Sequence, residues 1–198
     1  MNGFERKKEQ KRQSILRVAI ELFKTYGFKK ASINDIAGKA NVSQVTIYNY
    51  FGSKEELVRE VVKAIILNLI ERVREIMKED RPFPEKLETI IFDKANIASQ
   101  YRGELLQIMA QSDPETQQWI ESLWRKDVNK VTLDLIEEGK RQGCINTHQS
   151  EKAIMLYFEI LRKGAFASRE LFANIEPDVE LYRELNQLFV YGLVGKRE

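Results

Sequence analysis

The sequence predicts an all-α protein, and three observations carry that prediction. No segment alternates apolar and polar residues with the period of two that a half-buried strand requires. Apolar residues recur instead at i, i+3 and i+4, the rhythm of helices with one buried face. The four prolines, Pro82, Pro84, Pro114 and Pro177, stand only where a helical pattern has stopped or is about to start. At 198 residues the chain suits one or two domains with a substantial core.

The first helix is expected over about 6–26. Ile15, Val18, Ala19, Leu22, Phe23 and Tyr26 make its apolar stripe, and Gly27 ends it. Ser32 can cap a second, short helix over about 33–40, with Asp35 at its third position. Asn41 follows, a residue that tolerates a left-handed turn. Ser43 then caps a third helix over about 44–50. Ser53 and Glu56 form an S-x-x-E capping box for a fourth, long helix over about 54–79. Its stripe runs Leu57, Val58, Val61, Val62, Ile65, Ile66, Leu69, Ile70, Val73, Ile76 and Met77, wide enough to pack on two sides. "DRPFP" (80–84) breaks the chain. Further helices are expected at about 85–101, 104–111, 115–142, 150–173 and 178–194.

Charge is distributed unevenly. The net charge is only +2, but residues 1–54 hold 11 Lys/Arg against 4 Asp/Glu. A basic N-terminal quarter on a mildly acidic body points to a local contact with a polyanion. Within that quarter, Gln44–Phe51 has no charge at all.

Two short capped helices behind a longer amphipathic one make a helix-turn-helix pattern, whose second short helix enters the DNA major groove N-terminus first. On that helix Ile47 and Phe51 share a face and pair with Ile33, Ile36 and Ala37. Gln44, Val45, Thr46, Tyr48, Asn49 and Tyr50 are left outward. These types suit groove reading: amides can bond bidentately to adenine, and Val or a Thr methyl can touch a thymine methyl. Tyr and Thr hydroxyls can reach phosphates. Cations come from the flanks: Arg6, Lys7, Lys8, Lys11, Arg12 and Arg17, then Lys29, Lys30 and Lys54. The helix starts at Ser32, Ser43 and Ser53 add backbone N–H groups for phosphates.

Residues 12–58 resemble the N-terminal domain of the TetR family of bacterial transcriptional regulators. The resemblance rests on "A-x-x-L-F-x-x-Y-G-F", "S-I-x-D-I-A", "V-S-x-x-T-I-Y-x-Y-F" and "S-K-E-E-L", in that order, over about a quarter of the chain. It implies a three-helix DNA-binding domain (1–53), a connecting helix (54–79) and a helical ligand-binding and dimerisation domain (80–198). It further implies repression of transcription relieved by a small molecule. By position, Gln44, Val45, Thr46, Tyr48, Asn49 and Tyr50 would line the groove, and Ser32 and Lys54 would meet phosphates. Asn41 stands where the family often has glycine, and Val45 stands where some members hold a donor.

Residues 80–198 carry no motif that identifies a ligand; "IEEGKRQGCI" (136–145) resembles the end of the family's long seventh helix. Aromatic-rich amphipathic helices can leave a mostly apolar cavity. Phe92, Met109, Trp124, Tyr157 and Leu161 are the expected lining, with Asn96, Tyr101, Gln107 or Gln111 as polar handles. The effector expected is small and apolar or aromatic, a cationic one included. Small residues in "KGAFAS" (Gly164, Ala165, Ala167, Ser168) and the stripe Leu181, Tyr182, Leu185, Leu188, Phe189 and Gly192 allow close helix packing. In the family reading the last two helices of each subunit form a homodimer interface, and a two-fold dimer reads a pseudo-palindromic operator in double-stranded DNA.

Other classes fare worse. One cysteine, Cys144, and one histidine, His148, allow no internal disulfide and no Cys/His zinc site within one chain. No nucleophile–base pair or Gly-rich phosphate loop is present, so neither an enzyme nor a cofactor is expected. The N-terminus leads into charged residues rather than a signal core. The most apolar run, "VVKAIILNLI" (61–70), is too short and polar to span a bilayer of about 30 Å. A cytoplasmic protein without a membrane partner is expected. Two competing readings are a helical carrier of hydrophobic molecules with an incidental basic arm, and a regulator of the same fold controlled by a protein partner.

Overall fold

The computed structural model describes residues 3–101, 104–145, 150–167 and 179–191. Every regular element among them is helical. The chain divides into two compact units between Ile66 and Leu67, inside the helix expected to connect two domains.

In the first unit α1 covers Gly3–Tyr26, α2 Ile33–Ala40 and α3 Gln44–Phe51. Helix α4 covers Lys54–Lys78 and crosses into the second unit. Helix α1 begins three residues earlier than its apolar stripe suggests, and the added residues are exposed. It ends at Gly27, whose φ of 83° is the left-handed conformation that a side chain would strain. Asn41 closes α2 with φ 52°. Its N–H donates to the Gly38 carbonyl and that of Val42 to the Ala37 carbonyl, the paired bonds of a Schellman ending. The core of this unit is Ile15, Leu16, Ala19, Phe23 and Phe28, then Ile33, Ile36, Ala37, Ile47 and Phe51, closed by Leu57, Val61, Val62 and Ile65 of α4. Phe23 and Phe28 rings lie 4.9 Å apart.

The second unit contains the rest of α4, then α5 (Phe83–Gln100), α6 (Glu104–Ala110), α7 (Pro114–Leu123), α8 (Asn129–Arg141), α9 (Glu151–Ala167) and α10 (Val179–Tyr191). Pro84 lies inside the first turn of α5, where its missing N–H costs no helical bond. The single helix expected at 115–142 carries a π-helical stretch, Trp124–Val128, between α7 and α8. An apolar period of 3.6 does not register one such widened turn, because the flanking stripes remain helical. Helix α10 packs on α5, and α6 packs on α7 and α9. Buried here are Ile70, Val73, Ile76, Phe83, Ile90, Ile91, Tyr101, Met109, Ile120, Leu123, Val131, Ile136 and Ile154. The expectations on His148, Ser168, Pro177 and Gly192, and on the side chains of Ala165, Tyr182 and Phe189, lie outside the described residues.

Gly139 shows how tightly this unit closes. A Cβ there would stand 2.5 Å from Ile145 Cδ1 and 2.8 Å from Phe83 Cζ. Phe83 is fully buried, and its N–H donates to Gln142 Oε1 at 2.8 Å. Gly139→Ala is therefore expected to lower stability by about 1–3 kcal/mol through overpacking. A urea melt checks this; an unchanged midpoint would show that Ile145 can swing aside.

Candidate nucleic-acid interface

The α2–turn–α3 unit is set by its caps. The Ser32 hydroxyl accepts from the Asp35 N–H at 3.2 Å and donates to Asp35 Oδ2 at 2.6 Å. The Ser32 N–H donates to the same carboxylate at 2.9 Å, completing a capping box. These bonds, first from the Ser32 side chain and then from its N–H, hold the Asp35 carboxyl below the usual range. Ser43 repeats the pattern more simply. Its hydroxyl accepts from the Thr46 N–H at 3.1 Å and lies 2.9 Å from the Thr46 hydroxyl.

Burying Ile47 and Phe51 fixes the rotation of α3. Val45 (66% exposed) and Tyr48 (44%) then face outward, with Gln44 and Asn49 also exposed. Thr46 and Tyr50 are partly covered. The expected groove residues thus fall outside the α2–α3 core. Gln44 does not hang free: its Nε2 donates to Asn34 Oδ1 of α2 at 3.0 Å. Asn34 was not among the expected residues, and nothing in the local pattern marks it, because the bond joins positions ten apart across the turn.

The phosphate-facing expectations sort less evenly. Lys54 Nζ reaches the Lys29 carbonyl at 3.4 Å and its charge acts on Asp35. The start of α4 is thereby brought beside the loop before α2, where Lys29 and Lys30 are exposed. Ser32 and Ser43 hydroxyls are both engaged in caps, so the free donors at these helix starts are backbone N–H groups of the first turn. Arg12 is not an outward cation. It pairs with Glu60 of α4 and lies over the Phe51 ring, 5.3 Å from its centre. Burial pushes the Glu60 carboxyl up, but Lys63 and Arg12 together outweigh it and hold the carboxyl low. Arg12 therefore braces α1 against α3 and α4, a role its position in a basic run did not reveal. Arg6, Lys7, Lys8, Lys11 and Arg17 remain exposed.

In the second unit Met109 is buried, and Trp124, Tyr157 and Leu161 are partly covered. Phe92 is half exposed, whereas Ile90 and Ile91 of the same helix are buried. Among the described residues no group of three or more His, Cys, Asp or Glu could hold a metal, and no helix is long and apolar enough to cross a membrane.

Residues 15–61 match the family model described as bacterial regulatory proteins, tetR family. The uncharacterized HTH-type transcriptional regulator YvdT of Bacillus subtilis is 30% identical over 92 residues, 46% of this chain and 47% of that protein. The chain thus spans about half the length of the first relatives it matches. The HTH-type transcriptional repressor KstR2 of Rhodococcus jostii is 24% identical over 168 residues, 81% of this chain and 79% of that protein. Among solved structures, the transcriptional regulator FadR from Bacillus subtilis in complex with stearoyl-CoA superposes with a TM-score of 0.62 at 22% identity, covering 91% of this chain and 98% of that one. At that identity the likeness shows a shared fold.

Proposed function

We propose that this chain, a member of the tetR family of bacterial regulatory proteins, is a transcriptional repressor that binds operator DNA and is released by a small apolar effector. The observation that carries the reading is the face of α3. Gln44, Val45, Tyr48 and Asn49 are exposed and uncharged, while Lys29, Lys30 and Lys54 flank them. Bases are read by amides, hydroxyls and methyls, and the backbone is held by cations and helix N–H groups.

A homodimer supplies the second half-site. Leu156 (59% exposed) and Ile160 (60%) lie four apart on α9, and Leu185 (40%) and Leu188 (70%) three apart on α10. These apolar residues on the last two helices support an interface with a second copy. Effector binding in the second unit requires different affinities for two dimer arrangements. Helix α4 is the element that could carry the difference, because Lys54 starts it beside α2 and its last turns belong to the second unit. Met109, Trp124, Tyr157 and Leu161 are the proposed lining. The stearoyl-CoA held by the Bacillus subtilis FadR supports an effector with a long apolar part.

The test begins with selection of operator sequences from random duplex DNA, followed by anisotropy titrations. Lys54→Ala is expected to weaken binding to every sequence and to reduce the salt slope by about one phosphate contact. Gln44→Ala is expected to relax preference at one base position, costing about 1–3 kcal/mol there. Equal losses on all sequences for both variants would contradict this division of labour. No duplex binding at all would defeat the repressor reading.

A further inference from the structure

A glutamine that reads a base must fix several side-chain torsions, and α2 does part of this for Gln44. Its Nε2 donates to Asn34 Oδ1 at 3.0 Å. Both side chains are exposed, so the bond lies at the surface and not in the α2–α3 core. Its two ends are firmly mounted. Asn34 is the second residue of α2, which the Ser32–Asp35 capping box and the buried Ile33, Ile36 and Ala37 fix in place. Gln44 is the first residue of α3, held by the Ser43 cap and by Ile47 and Phe51. Asn41, in its left-handed conformation, sets the turn between them.

The bond decides what the Gln44 amide can offer. A carboxamide carries an acceptor oxygen and two N–H donors. With one N–H spent on Asn34, Gln44 keeps Oε1 and a single N–H. Adenine shows the major groove a donor, N6–H, and an acceptor, N7, which that pair matches. Guanine shows two acceptors, O6 and N7, and calls for two donors. An untethered glutamine can turn both Nε2 hydrogens to guanine; the tethered one must first leave Asn34. Turning the amide end for end would set Oε1 against Asn34 Oδ1, acceptor against acceptor.

We propose that Asn34 is a specificity-determining positioning residue: by holding the Gln44 amide it selects adenine over guanine at the contacted base pair. The inference rests on the repressor reading. It gives a residue of α2 a part in base choice without any contact of its own with the base. Ordering the Gln44 side chain before DNA arrives also reduces what binding must spend on ordering it. The net worth of a neutral hydrogen bond corresponds to roughly 2- to 10-fold in preference.

The experiment uses the full chain and the operator selected from random duplexes. The Gln44 base pair is the position at which Gln44→Ala relaxes preference, and it is changed from A·T to G·C. Anisotropy titrations are expected to show A·T preferred there by the unsubstituted chain. Asn34→Ala is expected to lower that preference about 2- to 10-fold and to leave preferences at other positions unchanged. Once Gln44 is replaced by Ala, Asn34→Ala is expected to add nothing at this position, because the tether has nothing to hold. Asn34→Asp can only accept, so it is expected to keep the preference while its charge weakens binding to every duplex alike. A purely structural role would weaken all sequences together and leave the preference unmoved. A guanine preference, a preference that survives Asn34→Ala, an additive loss in the double variant, loss of the preference with Asn34→Asp, or no position relaxed by Gln44→Ala would each overturn the proposal. A chain that binds no duplex DNA refutes the repressor reading and the role of Asn34 with it. A chain that binds its operator but whose A·T preference ignores Asn34 refutes only the latter.

Discussion

Phe51→Ala is expected to destabilise the N-terminal unit by about 3–5 kcal/mol, the range for removing a buried aromatic ring. Phe51 is only 6% exposed at the end of α3, and with Ile47 it anchors that helix against Ile33, Ile36 and Ala37. The ring also lies under the Arg12 guanidinium, which Glu60 holds in place. The substitution therefore removes apolar burial and the surface on which a paired cation rests. Circular dichroism in urea measures the loss. DNA binding should fall with it, since Ile47 alone then fixes which side of α3 faces outward. An unchanged unfolding midpoint would refute the assignment of Phe51 to the core.

Glu138→Ala is expected to cost about 3–5 kcal/mol in the helical unit, because it strands the Lys86 charge in the interior. The Lys86 and Glu138 side chains are 5% and 11% exposed. The Met77 carbonyl remains as an acceptor and draws the cost toward the lower end. Glu138 Oε1 also receives the Gln142 amide at 2.6 Å, so the end of α8 loosens as well. The double variant Lys86→Met/Glu138→Leu is expected to recover most of the loss, since an apolar pair of similar volume carries no desolvation cost. If the double variant were no more stable than Glu138→Ala, the pair would be contributing through something other than charge compensation.

The N-terminal unit was unusually legible because its determinants are local. Ser32 with Asp35, Ser43 with Thr46, and Asn41 in a left-handed turn are contacts between residues at most four apart. The same holds for the outward set on α3, because burying Ile47 and Phe51 fixes the rotation of eight residues at once. Arg12 was misread for the complementary reason. Its partner Glu60 lies 48 positions away, and a run of basic residues does not say which member turns inward. The bond from Gln44 to Asn34 was missed likewise.

In the second unit the apolar rhythm locates helices but not what their faces meet. It counted Phe92 with the interior, although the side chain is half exposed, and it passed over the π-helical turn at Trp124–Val128. Lys86 stands in the buried stripe of α5 and Lys94 outside it, although the two look alike as sequence. By itself, then, the sequence determined the helical class, the caps, the turn and the uncharged face of α3, all of which depend on periodicity and short-range hydrogen bonds. Only the tertiary structure decided which charges are paired, because a counterion arrives from any distance along the chain. It is that decision that separates Lys86, buried and satisfied by Glu138 and Met77, from Lys94 on the same helix, which is exposed.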